Sequence, residues 1–196
     1  CDPYRSPPIY PIHSQRQQNL DAQEVPVRKV QLGLLNSNAY IMPYYDVSLS
    51  HNHFVAAQKI GATGILKGEG VPFSWANRTL FHPDSLVNRL ALIKDLADFY
   101  MLPSTNKTHL TLLEAIDIII EIAKKNNLQQ KQSTWNFNNK KMLSDQIQNA
   151  WKQWKFGSFK IDMALTRIQF AQLFDATINP FELQEIDHNG KIKSIY

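Results

Sequence analysis

Cysteine is almost missing from this chain of 196 residues, which has a single thiol at Cys1. One cysteine cannot close an internal disulfide, and it cannot build a thiolate metal site. Glycine is scarce as well, and Gly61, Gly64, Gly68 and Gly70 have the wrong spacing for a G-x-G-x-x-G loop and follow a helical pattern. The chain therefore offers no recognisable loop for a dinucleotide cofactor.

Long apolar runs and catalytic motifs are also missing. The most apolar stretch, from Leu110 to Ala123, is interrupted by Glu114, Asp117 and Glu121. It falls short of the roughly 18 uninterrupted apolar residues that a membrane span needs, so it predicts a buried helix. No nucleophile-elbow motif surrounds a serine, and no pair of carboxylates stands out as acid and base. We expect neither a membrane span nor a catalytic residue; an independent enzyme is the least favoured interpretation.

Charge is moderate but unevenly distributed. The net charge is +4, yet the segment from Lys124 to Lys160 carries eight lysines against one acid, Asp145. A basic face of this kind attracts anionic partners such as acidic glycan, phosphate or nucleic acid. The alternative, which we favour, is a solvated lysine-rich helix with its loops. We expect no nucleic-acid partner.

Proline divides the chain, because six of the ten prolines lie between Pro3 and Pro43. We predict an extended arm or linker over residues 1–25, a helical domain over 26–181 and a hairpin or tail over 182–196.

Both ends of the chain carry a further expectation. Asn189-Gly190 predicts a tight turn that pairs residues 181–187 with 191–196. Cys1 would be the lipidated cysteine of a lipoprotein if it is a mature N-terminus, and it has no meaning if the chain is an arbitrary fragment.

Apolar spacing of three and four residues predicts a mainly α fold with about six helices and little sheet. Thr111 with Glu114 and Thr166 with Gln169 form two capping boxes, in which each side chain satisfies an orphaned backbone donor. Residues 68–84 and 126–139 read as loops. The predicted helices begin near Pro26, Ser50, Asn88, Thr111, Lys141 and Thr166.

A repeated pattern resembles the S-layer homology repeat. Its residues are Asp46-Val47, His51, Ala57, Ile60, Gly64-Ile65-Leu66, Gly68, Phe81, Pro83-Asp84, Val87 and Arg89. In that family the second helix usually begins with Thr-Arg-x-Glu. Two later helix starts, near Leu110 and Leu165, partly match this pattern. The start near Leu110 lacks the arginine, and the start near Leu165 has Arg167 but carries Gln169 in place of the glutamate. The resemblance implies a helical bundle whose grooves hold an anionic cell-wall polymer, with Arg89 and Arg167 matching the arginine on the ligand side.

A second resemblance covers more of the chain. The stretches concerned are Val27–Leu35, Asp46–Leu66, Thr166–Asp175, Pro180-Phe181 and Asp187–Gly190. Together they are similar to the tail of a bacterial family of secreted FAD-dependent oxidoreductases, some labelled as related to glucose-inhibited division protein A or as xanthan lyases. The resemblance implies a flavin domain upstream of residue 1, no FAD in this chain, and a secreted, periplasmic or cell-surface location.

Two loop tryptophans are the candidate ligand-binding residues. Trp75 lies near Arg78, and Trp135 lies beside Asn136. An exposed Trp next to amide or guanidinium groups stacks on sugars and binds their hydroxyls, whereas the alternative is that both rings plug the helical bundle. Trp151 and Trp154 are expected in the core.

Histidines suggest a metal site only weakly. His51 and His53 point about 200° apart on a helix and cannot easily bind one ion. We expect His51 to bond backbone groups near the helix start instead, and Asp46 and Asp84 to fix their own loops.

Two functions remain open. The first is a non-catalytic C-terminal accessory domain that docks on its own enzyme domain or on another protein. The second is an envelope module that binds anionic polysaccharide through Trp75, Arg78, Arg89, Arg167 and the lysine-rich segment. A broad exposed apolar face favours docking, and Trp and Arg along a groove favour glycan.

Overall fold

The fold of this chain is mainly α in a computed structural model that describes residues 25–26, 44–73, 76–95, 108–131, 134–180, 184–186 and 192–194. The helices in these ranges are α1 (Phe54–Ala62), α2 (Arg89–Asp95), α3 (Leu112–Lys125), α4 (Leu128–Lys131), α5 (Lys140–Gln153) and α6 (Arg167–Thr177). The strands are β1 (Val25–Pro26), β2 (Glu69–Phe73), β3 (Ala76–Leu80), β4 (Gln184–Ile186) and β5 (Ile192–Ser194).

Three short extended segments meet at the centre of the molecule. We name residues 85–89, 108–112 and 163–167 the ring segments. The amide of Val87 donates to the Leu165 carbonyl at 2.9 Å, that of Leu165 to Leu110 at 2.9 Å, and that of Leu110 to Val87 at 3.2 Å. Each of these residues therefore donates to one neighbour and accepts from the other, and all three side chains are buried.

A second set of hydrogen bonds closes the same ring in the opposite direction. The amides of Arg89, Leu112 and Arg167 donate to the carbonyls of Thr108, Met163 and Ser85 at 2.9, 2.9 and 2.8 Å. The six bonds form three antiparallel bridges and satisfy backbone groups that would otherwise be buried without partners. The ring segments are thus related by approximate threefold repetition.

Each ring segment leads into a helix, and its fourth residue is the N-cap of that helix. Asn88, Thr111 and Thr166 each accept a hydrogen bond from the backbone amide three residues later, at 3.1, 3.3 and 3.3 Å. Both predicted capping boxes are confirmed, because Glu114 and Gln169 bond back to the N-cap amides. The helices α2, α3 and α6 therefore start at equivalent positions around the ring.

The helices pack into one hydrophobic cluster that extends from Tyr44 to Ile178. α1 packs on α6, and α3 contacts α4, α5 and α6. The apolar face of α1 is buried and consists of Phe54, Ala57 and Ile60. In α5, Leu143, Ile147 and Trp151 are buried, whereas Trp154 at its C-cap is only partly covered.

The structure corrects the boundaries of α1. This helix begins at Phe54, and its N-cap is His53, whose side chain makes no capping bond, so the predicted helix start near Ser50 is wrong. Gly64 follows the C-cap residue Thr63 with a φ of +78° and ends the helix. A glycine adopts this left-handed conformation without steric cost.

The structure also contains more strand than predicted. Residues 68–84 were expected to form a loop, but β2 and β3 pair antiparallel there, from Glu69 opposite Leu80 to Phe73 opposite Ala76. β4 pairs antiparallel with β5, as predicted for these two segments, with Ile186 opposite Ile192, and β1 adds to the other edge of β4. Pro26 is therefore part of a strand and not the start of a helix.

Some predictions fall outside the described residues. These are the helix after Pro26 over 27–36, the end of the helix over 96–99, and the Asn189-Gly190 turn. The predicted loop over 126–139 lies largely within the described ranges and includes the short helix α4.

Candidate functional site

An open cleft lies where the loop before α1, the end of α5 and the start of α6 come together. Its larger lobe is about 520 Å³ and a smaller adjoining lobe is about 290 Å³. Both lobes share Asn52, His53, Trp154 and Lys155 as lining residues. The larger lobe adds Ser48, Ser50, His51, Asp84, Phe156, Thr166, Ile168 and Gln169, and the smaller adds Gln153 and Gln172.

Two charged side chains fix the loops around this cleft. The Asp46 carboxylate accepts hydrogen bonds from the amides of Phe81 and His82 at 2.7 and 2.6 Å. It was expected to fix its own loop, but it joins that loop to a segment 35 residues further on. Arg167 donates from Nε to the Phe81 carbonyl at 2.6 Å and from Nη2 to the Lys67 carbonyl at 2.7 Å. Its guanidinium also lies over the Phe81 ring, 5.0 Å from the centroid.

His53 holds the base of the cleft. Its Nδ1 is 2.9 Å from Oε1 of Gln172 on α6, and its ring lies 4.5 Å from that of Phe156. A further hydrogen bond reaches the backbone of Trp154. Burial lowers the pKa of His53 below its ordinary value, against the opposite effect of the Gln172 hydrogen bond. His53 therefore connects α1, α5 and α6 as a neutral ring.

His51 bonds to the nearby backbone, as the sequence predicts. Its Nδ1 accepts a hydrogen bond from the amide of His53 at 3.2 Å. Within the described residues no group of three or more His, Cys, Asp or Glu side chains is arranged to hold a metal ion.

The cleft combines hydroxyl, amide and aromatic groups with few charges. Ser48, Ser50, Asn52 and Gln169 provide donors and acceptors, and Trp154 provides a ring that is only partly covered. Protein sites for sugars combine polar groups that bind hydroxyls with an aromatic face that contacts the apolar side of the ring. The chemistry of the cleft therefore suits a carbohydrate.

Two of the predicted ligand arginines, Arg89 and Arg167, do not line this cleft. Arg89 is buried, with 2 % of its surface exposed, and its Nε is 3.6 Å from Oε1 of Glu114. Arg167 makes the structural contacts described above. Both arginines therefore hold loops and helix starts together.

Trp135 is also a buried structural residue. Only 8 % of its surface is exposed, and its Nε1 donates to the Ala176 carbonyl at 2.8 Å. The ring therefore plugs the bundle, and the prediction of an exposed stacking surface is corrected. Trp75 lies outside the described residues, and Arg78 is described only as a backbone position of β3 opposite Val71.

Asn52 and Trp154 are among the cleft residues that the sequence did not suggest, whereas Lys155 belongs to the lysine-rich segment. Trp154 was expected in the core because it lies one helical turn from Trp151. The sequence signal for this turn was the position of Lys155-Phe156 directly after α5, which matches the position of Gly64-Ile65 after α1.

Comparison of the chain with protein-family models, with curated proteins and with solved structures finds no match in any of the three. Among the described helices, none is long and apolar enough to cross a membrane.

Proposed function

We propose that this chain is a non-catalytic accessory module that binds cell-envelope polysaccharide in the cleft between α1, α5 and α6. The observation that carries this proposal is the cleft itself, an open space of about 520 Å³ lined by hydroxyls, amides and Trp154. A secreted, periplasmic or cell-surface location belongs to the same proposal.

The ring segments support an S-layer-homology-like arrangement of the helices. Asn88, Thr111 and Thr166 occupy equivalent N-cap positions, and the ring bonds repeat three times. The cleft lies beside one of these helix starts, since Thr166 and Gln169 line it. A polymer groove between repeated units is what the sequence resemblance implies.

Co-sedimentation tests the proposal. The purified chain is mixed with bacterial cell-wall sacculi, either intact or stripped of their attached polysaccharide, at low and high salt. We expect pelleting with intact walls and loss of pelleting with stripped walls. An unchanged chain that stays in solution with intact walls contradicts the proposal.

A matched pair of variants locates the binding. Asn52→Ala removes an exposed amide that lines both lobes, and Asn149→Ala removes an exposed amide of α5 outside the cleft. We expect only Asn52→Ala to weaken pelleting. Arg89→Ala would be a poor probe, because the removal of a buried charge beside Glu114 is expected to unfold the chain.

Docking on a protein is the second candidate, and a different surface favours it. Four apolar side chains on or near the ring segments are exposed, Leu86, Leu90, Leu113 and Ile161, with between 38 and 65 % of their surface accessible. Leu113 and Ile161 are joined by a backbone hydrogen bond of 2.9 Å. The partner would be the enzyme domain of the FAD-dependent oxidoreductase that the sequence resemblance implies. Loss of complex formation in Leu90→Ser, with wall pelleting absent throughout, would favour this candidate.

A further inference from the structure

Lys155 has an unusual backbone conformation. It follows the C-cap of α5 with a φ of +59°. The other described non-glycine residues at positive φ are one histidine and two asparagines, His82, Asn127 and Asn179. Histidine and asparagine are enriched in the left-handed region, whereas an ordinary side chain such as lysine is disfavoured there. The position therefore carries backbone strain that a glycine would relieve.

The chain itself contains the relaxed form of this turn. Gly64 follows the C-cap of α1 as Lys155 follows that of α5, and its φ is +78°. The amide of Gly64 donates to the carbonyl three residues earlier at 3.1 Å, and that of Lys155 does the same at 3.1 Å. Ile65 and Phe156 then both turn back onto the core. The same turn is therefore built with glycine after α1, with lysine after α5 and with Asn127 after α3, whose amide donates to the Lys124 carbonyl at 3.1 Å.

The lysine stands where the two lobes of the cleft join. It lines both, whereas Asp84 lines only the larger one. The described lining of the smaller lobe is Asn52, His53, Gln153, Trp154, Lys155 and Gln172, which contains amides and one lysine but no carboxylate. A negative group is therefore attracted to the smaller lobe and repelled from the Asp84 end of the larger one.

We propose that Lys155 is the specificity-determining residue of the cleft and that it selects a carboxylate or phosphate group of the polysaccharide, which sits in the smaller lobe. This inference rests on the proposed function, since it assigns a charge preference to the same cleft. Strain retained at a binding site is common where the strained residue contacts the ligand. The neutral hydroxyls of the polymer then lie along the larger lobe.

A structural alternative exists for Lys155. A cation at a helix C-terminus interacts favourably with the carbonyl end of the helix, which would explain the lysine without a ligand. Under that alternative, Lys155→Gly leaves binding unchanged. Under our proposal, Lys155→Gly weakens binding while Tm stays the same or rises, because the turn is relaxed.

The test uses the full chain and cell-wall sacculi. Lys155→Gln and Lys152→Gln each remove one positive charge. Lys152 is the control position, because it is exposed in the last turn of α5 and does not line the cleft. We expect Lys155→Gln to weaken pelleting roughly tenfold, as the loss of one charge-assisted hydrogen bond would, and Lys152→Gln to change it by less than about twofold. Sacculi with reduced carboxyl groups and sacculi freed of phosphodiesters show which anion is bound.

The outcomes separate the two proposals. If the unchanged chain does not pellet, the proposed function fails and the role of Lys155 fails with it. If the unchanged chain pellets, equal effects of Lys155→Gln and Lys152→Gln overturn only the role of Lys155. A clear fall in Tm for Lys155→Gly, or full binding to walls that lack both kinds of anion, also overturns it.

Discussion

At the scale of single residues, side-chain hydrogen bonds join segments that lie far apart in the chain. Asp46 holds the segment at Phe81, Arg167 holds the same segment from the start of α6, and Trp135 reaches the end of α6. Each contact satisfies polar backbone groups that would otherwise be costly to bury. These residues therefore stabilise the walls of the cleft without lining it.

Trp135 and Trp154 should respond in opposite ways to substitution by phenylalanine. Trp135→Phe leaves the Ala176 carbonyl without its indole donor, so we expect a loss of about 1–3 kcal/mol in the free energy of unfolding. Polysaccharide binding should not change. Trp154→Phe should mainly weaken polysaccharide binding and have a smaller effect on the free energy of unfolding, because that ring is only partly covered and lines the cleft. Denaturant unfolding and wall pelleting measure both, and weakened binding in Trp135→Phe alone would contradict the assignment.

His53 gives a pH dependence of stability. Because burial lowers its pKa in the folded chain, the unfolded chain binds more protons between the ordinary value of 6.5 and the lowered value. We expect stability to be greatest above pH 6.5 and to fall as the pH drops from there towards the lowered pKa. NMR titration of the His53 ring should give a midpoint below 6.5, and Gln172→Ala should lower it further, since that hydrogen bond raises the pKa. A midpoint above 6.5 would contradict the burial of this ring.

Single contacts of this kind were only partly predictable from the sequence. The bond at His51 was predicted because it spans two residues. The positions of Arg89 and Trp135 were open, because an arginine at a helix start and a tryptophan in a polar stretch suit both a ligand and a core. Their burial depends on which distant segment packs over them, and one sequence does not contain that information.

At the scale of elements, local chemistry decides the helix starts. The capping boxes of α3 and α6 were read from four residues each, because both hydrogen bonds lie within one turn. The β2–β3 hairpin was missed, since Gly68, Gly70 and Pro72 favour a loop by composition. β1 was missed because its pairing with β4 joins segments about 160 residues apart, which no local pattern records.

Substitution should reveal how much a single N-cap next to the ring segments contributes to stability. Thr166→Ala removes the hydroxyl that accepts from the Gln169 amide, and we expect it to lower the free energy of unfolding by about 1 kcal/mol. Thr166→Ser keeps the hydroxyl and serves as the control. Equal stability of the alanine and serine variants in urea would show that the cap does not hold the start of α6.

At the scale of the whole molecule, three helix starts from distant parts of the chain meet in one ring. The sequence shows the three starts and their similarity, but it does not show that Val87, Leu110 and Leu165 bond to each other in a cycle. This arrangement places the start of α6 beside the loop before α1, and the cleft forms between them. The proposed polysaccharide site is therefore a consequence of how the repeats assemble.

The most direct measurement is an amide NMR titration of the labelled chain with soluble fragments of cell-wall polysaccharide. Binding in the cleft predicts concentration-dependent shifts at Asn52, Trp154 and Lys155, with Leu90 and Leu113 unaffected. Saturable shifts confined to the cleft would support a polysaccharide module. No shifts at any fragment concentration, or shifts confined to the exposed leucines near the ring segments, would contradict it.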